Sequence, residues 1–158
     1  MHSKMTKTLN WQSEQATHAF ACELATSPHI RHAHIHLSGD LGAGKSTLTR
    51  YLLRELGVMG TIKSPTYSVV EEYQLSGAWG ELNIWHFDFY RFNDPSEWED
   101  AGFRDIFLSA GLKICEWSEK ALGYVPEPDL HIDIQILDHD SRLVKIEAFS
   151  DQGRLLLG

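Results

Sequence analysis

A chain of 158 residues with 14 basic and 22 acidic side chains, net charge −8, has the length of one domain and can bury a core without disulfide or metal staples. Its 42% apolar and 23% charged residues exclude an intrinsically disordered chain. The acidic balance argues against nucleic-acid binding of its own, because phosphate contacts need clustered lysine and arginine.

The N-terminal residues Met1 to Asn10 are polar and hold no apolar signal-peptide stretch. Ser13 to Ala25 places Ala16, Phe20 and Leu24 at helical spacing, with Ser13 as the N-cap. Alternation from His32 to Leu37 predicts a strand that runs straight into glycines. From Lys45, Leu48, Leu52 and Leu56 recur at i, i+4 and i+8, and Gly57 suits the end of that helix. Tyr67 to Leu75 and Leu82 to Phe89 read as strands joined by the turn Ser76-Gly77-Ala78-Trp79-Gly80. Asp94-Pro95-Ser96-Glu97 predicts a helix start, with Asp94 capping and Glu97 at the capping-box position. Leu112 to Trp117 is a short apolar strand. His131 to Leu137 and Leu143 to Phe149 predict a second hairpin around Asp138-His139-Asp140-Ser141. Strand–helix units mixed with hairpins predict an α/β fold, a mixed parallel and antiparallel sheet flanked by helices, in a single domain spanning 1–158.

Gly39-Asp40-Leu41-Gly42-Ala43-Gly44-Lys45-Ser46 matches G-x-x-x-x-G-K-[ST] at every fixed position. Glycines let backbone N–H groups curl around a phosphate, and the helix that follows points its partial positive end at the same anion. Lys45 then reaches the β/γ-phosphates and the Ser46 hydroxyl is a Mg²⁺ ligand, with Thr47 completing the nucleotide-binding segment. The strand before the loop and the amphipathic helix after it supply the context the motif requires. Neither the N-K-x-D nor the D-x-x-G string of GTPases occurs, which favours ATP.

A P-loop enzyme also needs a carboxylate at the end of an apolar strand. Ile84-Trp85-His86-Phe87-Asp88 ends in Asp88 and Leu112-Lys113-Ile114-Cys115-Glu116 ends in Glu116. Composition does not choose between them, and either could be a structural carboxylate.

The phosphate loop, Ser64-Pro65-Thr66, His86-Phe87-Asp88-Phe89-Tyr90-Arg91 and Glu116-Trp117 occur in this order. That constellation resembles the TsaE family (also called YjeE), the ATPase component of the bacterial tRNA threonylcarbamoyladenosine machinery. The resemblance extends over essentially the whole chain. It implies that Ser46 and Glu116 bind Mg²⁺ and that Asp88 acts in hydrolysis, near the metal or on the attacking water. It also makes Thr66 a switch-loop contact to the γ-phosphate or metal. Ser46 departs from the family's common threonine and keeps the hydroxyl. The implied role is ATP hydrolysis that supports threonylcarbamoyl transfer to N6 of adenosine 37 in ANN-decoding tRNAs by a TsaB–TsaD complex. A TsaC-type enzyme acts upstream, and the tRNA is held by the partners.

Other residues carry competing readings. His32, His34 and His36 alternate, and three imidazoles at that spacing could ligate zinc. No cysteine or carboxylate partner is evident, and the polar side of a strand is the simpler reading. Trp11 suits either an adenine face or packing. Arg91 suits either an in-cis arginine finger or an ion pair with the nearby acidic segment. Asp94, Glu97, Glu99, Asp100 and Asp105 suit a solvated face or a docking surface, and Trp79 and Trp98 would suit an interface if exposed. Cys22 and Cys115 stand outside any C-x-x-C, and no run approaches the ~18 apolar residues of a membrane span. A reduced, cytoplasmic protein is the expectation. The rival functions are a small P-loop kinase, which needs an acceptor site, and a nucleotide-gated binding module.

Overall fold

Runs such as Leu112–Glu116 are buried at every position, as strands covered on both faces must be. The computed structural model describes residues 5–77 and 80–158, and in it seven strands form one sheet. They are β1 (Met5–Trp11), β2 (His34–Ser38), β3 (Val70–Gly77), β4 (Gly80–Asp88), β5 (Leu112–Glu116), β6 (Leu130–Ile136) and β7 (Arg142–Ala148). Their spatial order is β1-β7-β6-β2-β5-β4-β3. The four inner strands β6, β2, β5 and β4 are parallel neighbours. β3 pairs antiparallel with β4, β7 with β6, and β1 with β7. The mixed sheet is the one the strand and hairpin pattern predicts.

Five helices flank it: α1 (Glu14–Thr26), α2 (Lys45–Leu56), α3 (Glu97–Asp100), α4 (Arg104–Leu108) and α5 (Asp151–Leu157). Leu24, Leu48 and Leu52 pack on Ile35, Leu37, Ile114 and Ile132, so α1 and α2 cover one face. Phe87, Phe89, Trp98, Phe103 and Cys115 form a second cluster. The odd and even positions of β4 and β5 therefore feed different cores, the period-2 alternation of a strand.

Several boundaries differ from the pattern-based expectation. β1 and α5 have no counterpart in it. β1 is largely exposed and polar, and only its ladder with β7 makes it a strand. His32 closes a 3₁₀ turn, Pro28–His32, and does not belong to β2. Ser13 precedes α1 without a side-chain cap bond. Tyr67 to Val69 lie in a turn ahead of β3, and Val69 has φ 70°, a rare conformation for a β-branched residue. Trp117 leaves β5 with φ 57°. The helix expected at Asp94 shrinks to one turn, although Asp94 Oδ1 does accept from the Ser96 N–H at 2.9 Å. Trp98 is buried against Phe107 instead of presenting an interface. Ala78 and Trp79 lie outside the described residues.

Candidate functional site

The phosphate loop connects the end of β2 to the start of α2, at the carboxyl ends of the parallel strands, where open α/β sheets bind ligands. Its glycines are required by geometry. Gly39 has φ 141°, and a Cβ there would sit 2.4 Å from the Ile134 carbonyl oxygen. Gly44 has φ 118° and stands at the N-cap of α2. With no side-chain cap on α2, its first N–H groups stay available to an anion.

Lys45 is 6% exposed, and its Nζ donates to the Gly39 carbonyl at 2.6 Å. The same ammonium lies 4.4 Å from the centre of the Trp117 ring. The lysine arches over the loop, and Trp117 walls its other side. Leu41, Gly42, Gly44, Lys45, Ser46 and Thr47 line a cavity of about 200 Å³ together with Ser64, Thr66, Asp88, Glu116 and Trp117. Gly39, Asp40 and Ala43 support it from behind: the Ala43 N–H donates to the Asp40 carbonyl at 3.0 Å, and Ala43 is buried.

Asp88 and Glu116 pair in the β4–β5 register, so the two carboxylates stand side by side on the face that bears α2. Glu116 is buried, and His86 Nε2 donates to its Oε2 at 2.7 Å. Asp88 Oδ1 accepts from the Tyr90 N–H at 2.9 Å. Burial pushes the Asp88 carboxyl above its usual range; the Tyr90 N–H opposes this and the Glu116 charge adds to it. Thr66 shares a 2.7 Å hydroxyl hydrogen bond with Ser64. Their segment is tied at its end by the Val69 N–H to the Pro65 carbonyl, and by the Asp88 N–H to the Val69 carbonyl. An ammonium, loop amides and hydroxyls facing two carboxylates suit a polyphosphate anion carried with a cation.

The raised Asp88 carboxyl has a stability consequence. The folded protein holds that proton more tightly than the unfolded chain, so ionisation costs stability as pH rises through the raised value. Without nucleotide or divalent ion, Asp88→Asn should raise the melting temperature at pH 7. The gain should vanish below pH ~3.9, where aspartate is protonated in both states. A gain that persists at low pH refutes this account.

Two functional contacts had no local signal in the sequence. His86 holds Glu116 through a contact 30 residues away in sequence. Arg142 braces the phosphate loop: its Nε donates to the Ala43 carbonyl at 2.8 Å, and Nη1 to the Asp138 and Ser141 carbonyls at 3.0 and 2.9 Å. Arg142→Ala should cost about 2 kcal/mol, a melting-temperature drop of roughly 4–8 °C, and weaken nucleotide binding. A calorimetric scan with unchanged melting temperature contradicts the brace.

Trp11 packs against Phe20 in the core, 4% exposed, and is not among the residues that line the cavity. Arg91 lies 4.9 Å over the Tyr67 ring and, among the described residues, makes no ion pair with the acidic segment. Glu99 in that segment pairs with Arg104. His34 and His36 are buried, which overturns their reading as the polar side of a strand.

A family model described as "Threonylcarbamoyl adenosine biosynthesis protein TsaE" matches residues 11–144. The chain belongs to the TsaE family. The TsaE protein of Haemophilus influenzae is 44% identical over 123 residues, covering 78% of this chain and 75% of that one. The Bacillus subtilis TsaE protein is 33% identical over 120 residues, covering 76% and 72%. Both carry the name tRNA threonylcarbamoyladenosine biosynthesis protein. The crystal structure of Bacillus subtilis YdiB superposes with a TM-score of 0.77 at 24% identity, over 99% of this chain and 95% of that one, and so shares its fold. TsaE proteins take part in threonylcarbamoyladenosine biosynthesis, a nucleotide-related role in keeping with the family's P-loop. No helix among the described residues is long and apolar enough to cross a membrane.

Proposed function

We propose that this chain is a Mg²⁺-dependent ATPase that supports threonylcarbamoyl transfer to N6 of adenosine 37 in ANN-decoding tRNAs, carried out by a TsaB–TsaD complex. The convergence of Lys45, Ser46, Thr66, Asp88 and Glu116 on one cavity is the observation that carries the hydrolytic part. The family membership supports the pathway.

The loop amides and Lys45 hold the ATP phosphates. Ser46 and Glu116, with Asp88 beside them, fit a hard cation, because all three offer oxygen and line the same cavity. When bound, Mg²⁺ supplies charge neutralisation on the β- and γ-phosphates. Asp88 orients a water toward the γ-phosphorus. The water's oxygen bonds to phosphorus as the bond to the β-bridging oxygen breaks, and the water's proton passes to Asp88 or solvent. Thr66 closes over the γ-phosphate, and the tied turn at Val69 sets how far that segment moves. His86 keeps the Glu116 carboxylate aimed inward. Phosphoryl transfer needs positioning and charge more than covalent chemistry, so a site of this size suffices.

The net charge of −8 leaves the tRNA to the partners, with a TsaC-type enzyme supplying the activated threonylcarbamoyl group. ATP turnover by the purified chain, with and without TsaB–TsaD, tests both halves. The expected result is slow phosphate release to water that the complex stimulates. The absence of both stimulation and co-purification would remove the partners and leave the ATPase; phosphate found on another acceptor would favour the kinase reading.

A further inference from the structure

The face of the sheet opposite α2 carries a cluster that the nucleotide site does not use. His36 pairs with Cys115 across the parallel β2–β5 ladder. His34, two residues earlier, projects to the same side. All three residues are buried. His36 Nε2 lies 2.9 Å from His34 Nε2, and Cys115 Sγ lies 3.6 Å from that same nitrogen. The three ligand atoms fall within 4.8 Å of one another.

Tetrahedral zinc, with bonds of about 2.0–2.1 Å to nitrogen and 2.3 Å to sulfur, holds neighbouring ligand atoms roughly 3.3–3.6 Å apart. The His34–Cys115 separation already has that value. The two imidazoles need to part by only a few tenths of an ångström, and His36 Nε2 and Cys115 Sγ, within 4.8 Å of each other, to close by at most about 1 Å. Burial, the larger cause in each case, lowers His34 to about 4 and His36 to about 3, so both rings offer lone pairs at neutral pH. The His34 ring also hydrogen-bonds the Glu127 backbone, the kind of outer partner that fixes the tautomer and orientation of a metal-binding histidine.

We propose that His34, His36 and Cys115 form a buried Zn²⁺ site, with water as the fourth ligand. Two imidazoles and one sulfur select a borderline-soft ion and reject Mg²⁺, which wants oxygen. On binding, the Cys115 S–H bond breaks, the S–Zn bond forms and one proton leaves to solvent. The ion ties β2, which leads into the phosphate loop, to β5, which ends in Glu116. This site is independent of the hydrolysis reading, since its ligands point away from the nucleotide cavity.

The full chain, kept reduced and stripped with a chelator, is titrated with Zn²⁺ against a chromophoric competitor, and with Co²⁺ as a spectroscopic stand-in. One equivalent is expected to bind, release one proton and raise the melting temperature. The cobalt form is expected to show a thiolate-to-metal charge-transfer band and strong tetrahedral d–d bands. Cys115→Ser should erase the charge-transfer band, and His36→Gln should weaken zinc binding by more than about 100-fold. Cys22→Ser should change neither, although Cys22 with His18 and Glu55 forms the other cluster of suitable ligands among the described residues. No thiolate band in the parent cobalt form overturns the proposal, and that reading needs no variant to fold. A band lost in Cys22→Ser, or zinc displaced by Mg-ATP, overturns it as well.

Discussion

Lys45→Ala is expected to lower ATP affinity by about 100-fold and turnover by about 10³-fold. The ammonium is buried, preset over the loop by the Gly39 carbonyl and backed by the Trp117 ring. It spends almost no side-chain entropy when phosphate arrives, so nearly all of its charge-assisted bonding reaches the ligand. Alanine removes the charge and both orienting contacts while leaving the glycine geometry of the loop untouched. Calorimetric titration with ATP, with phosphate release followed in parallel, measures the two effects separately. Unchanged affinity would sink the phosphate-loop assignment.

Glu116→Gln is expected to lower turnover by about 10²–10³-fold and to shift half-saturation by Mg²⁺ to much higher concentration. The amide is isosteric and still accepts from His86 Nε2, which now sits 2.7 Å from Oε2, so the fold should stand. What disappears is the negative charge facing the cavity. Asp88→Asn should behave differently, with slow turnover and nearly normal binding, because in the proposed mechanism its carboxylate serves the water. A Mg²⁺ titration of each variant separates the roles; identical curves for both would show the division to be wrong.

The phosphate loop was legible because its information is local: eight consecutive residues carry the glycines, the lysine and the hydroxyl, and flanking periodicity supplies the strand and helix. Asp88 and Glu116 were legible as strand ends, yet their adjacency depends on the β4–β5 register, which no spacing along the chain encodes. The same holds for His86 against Glu116 and for Arg142 against Ala43. β1 was invisible since its polar residues become a strand only by joining β7. His34 and His36 were misjudged for a related reason. Alternation identifies a face of a strand, but the α4 residue Phe107, whose ring lies 5.0 Å from His34, covers that face from elsewhere. Trp98 was a candidate for exposure on the same incomplete view, and tertiary packing buried it.

The long reach of Arg142 also sets an order of events during synthesis. The loop it grips lies 99 residues nearer the N-terminus, and Ile134, against which Gly39 is closely packed, is nearly as far along. At roughly 5–20 residues per second, a ribosome needs about 5–20 s to travel from the loop to its brace. Throughout that interval the glycines have been made but have no wall to fold against. A nascent chain therefore completes the walls of the proposed nucleotide site late, when the second hairpin emerges and docks.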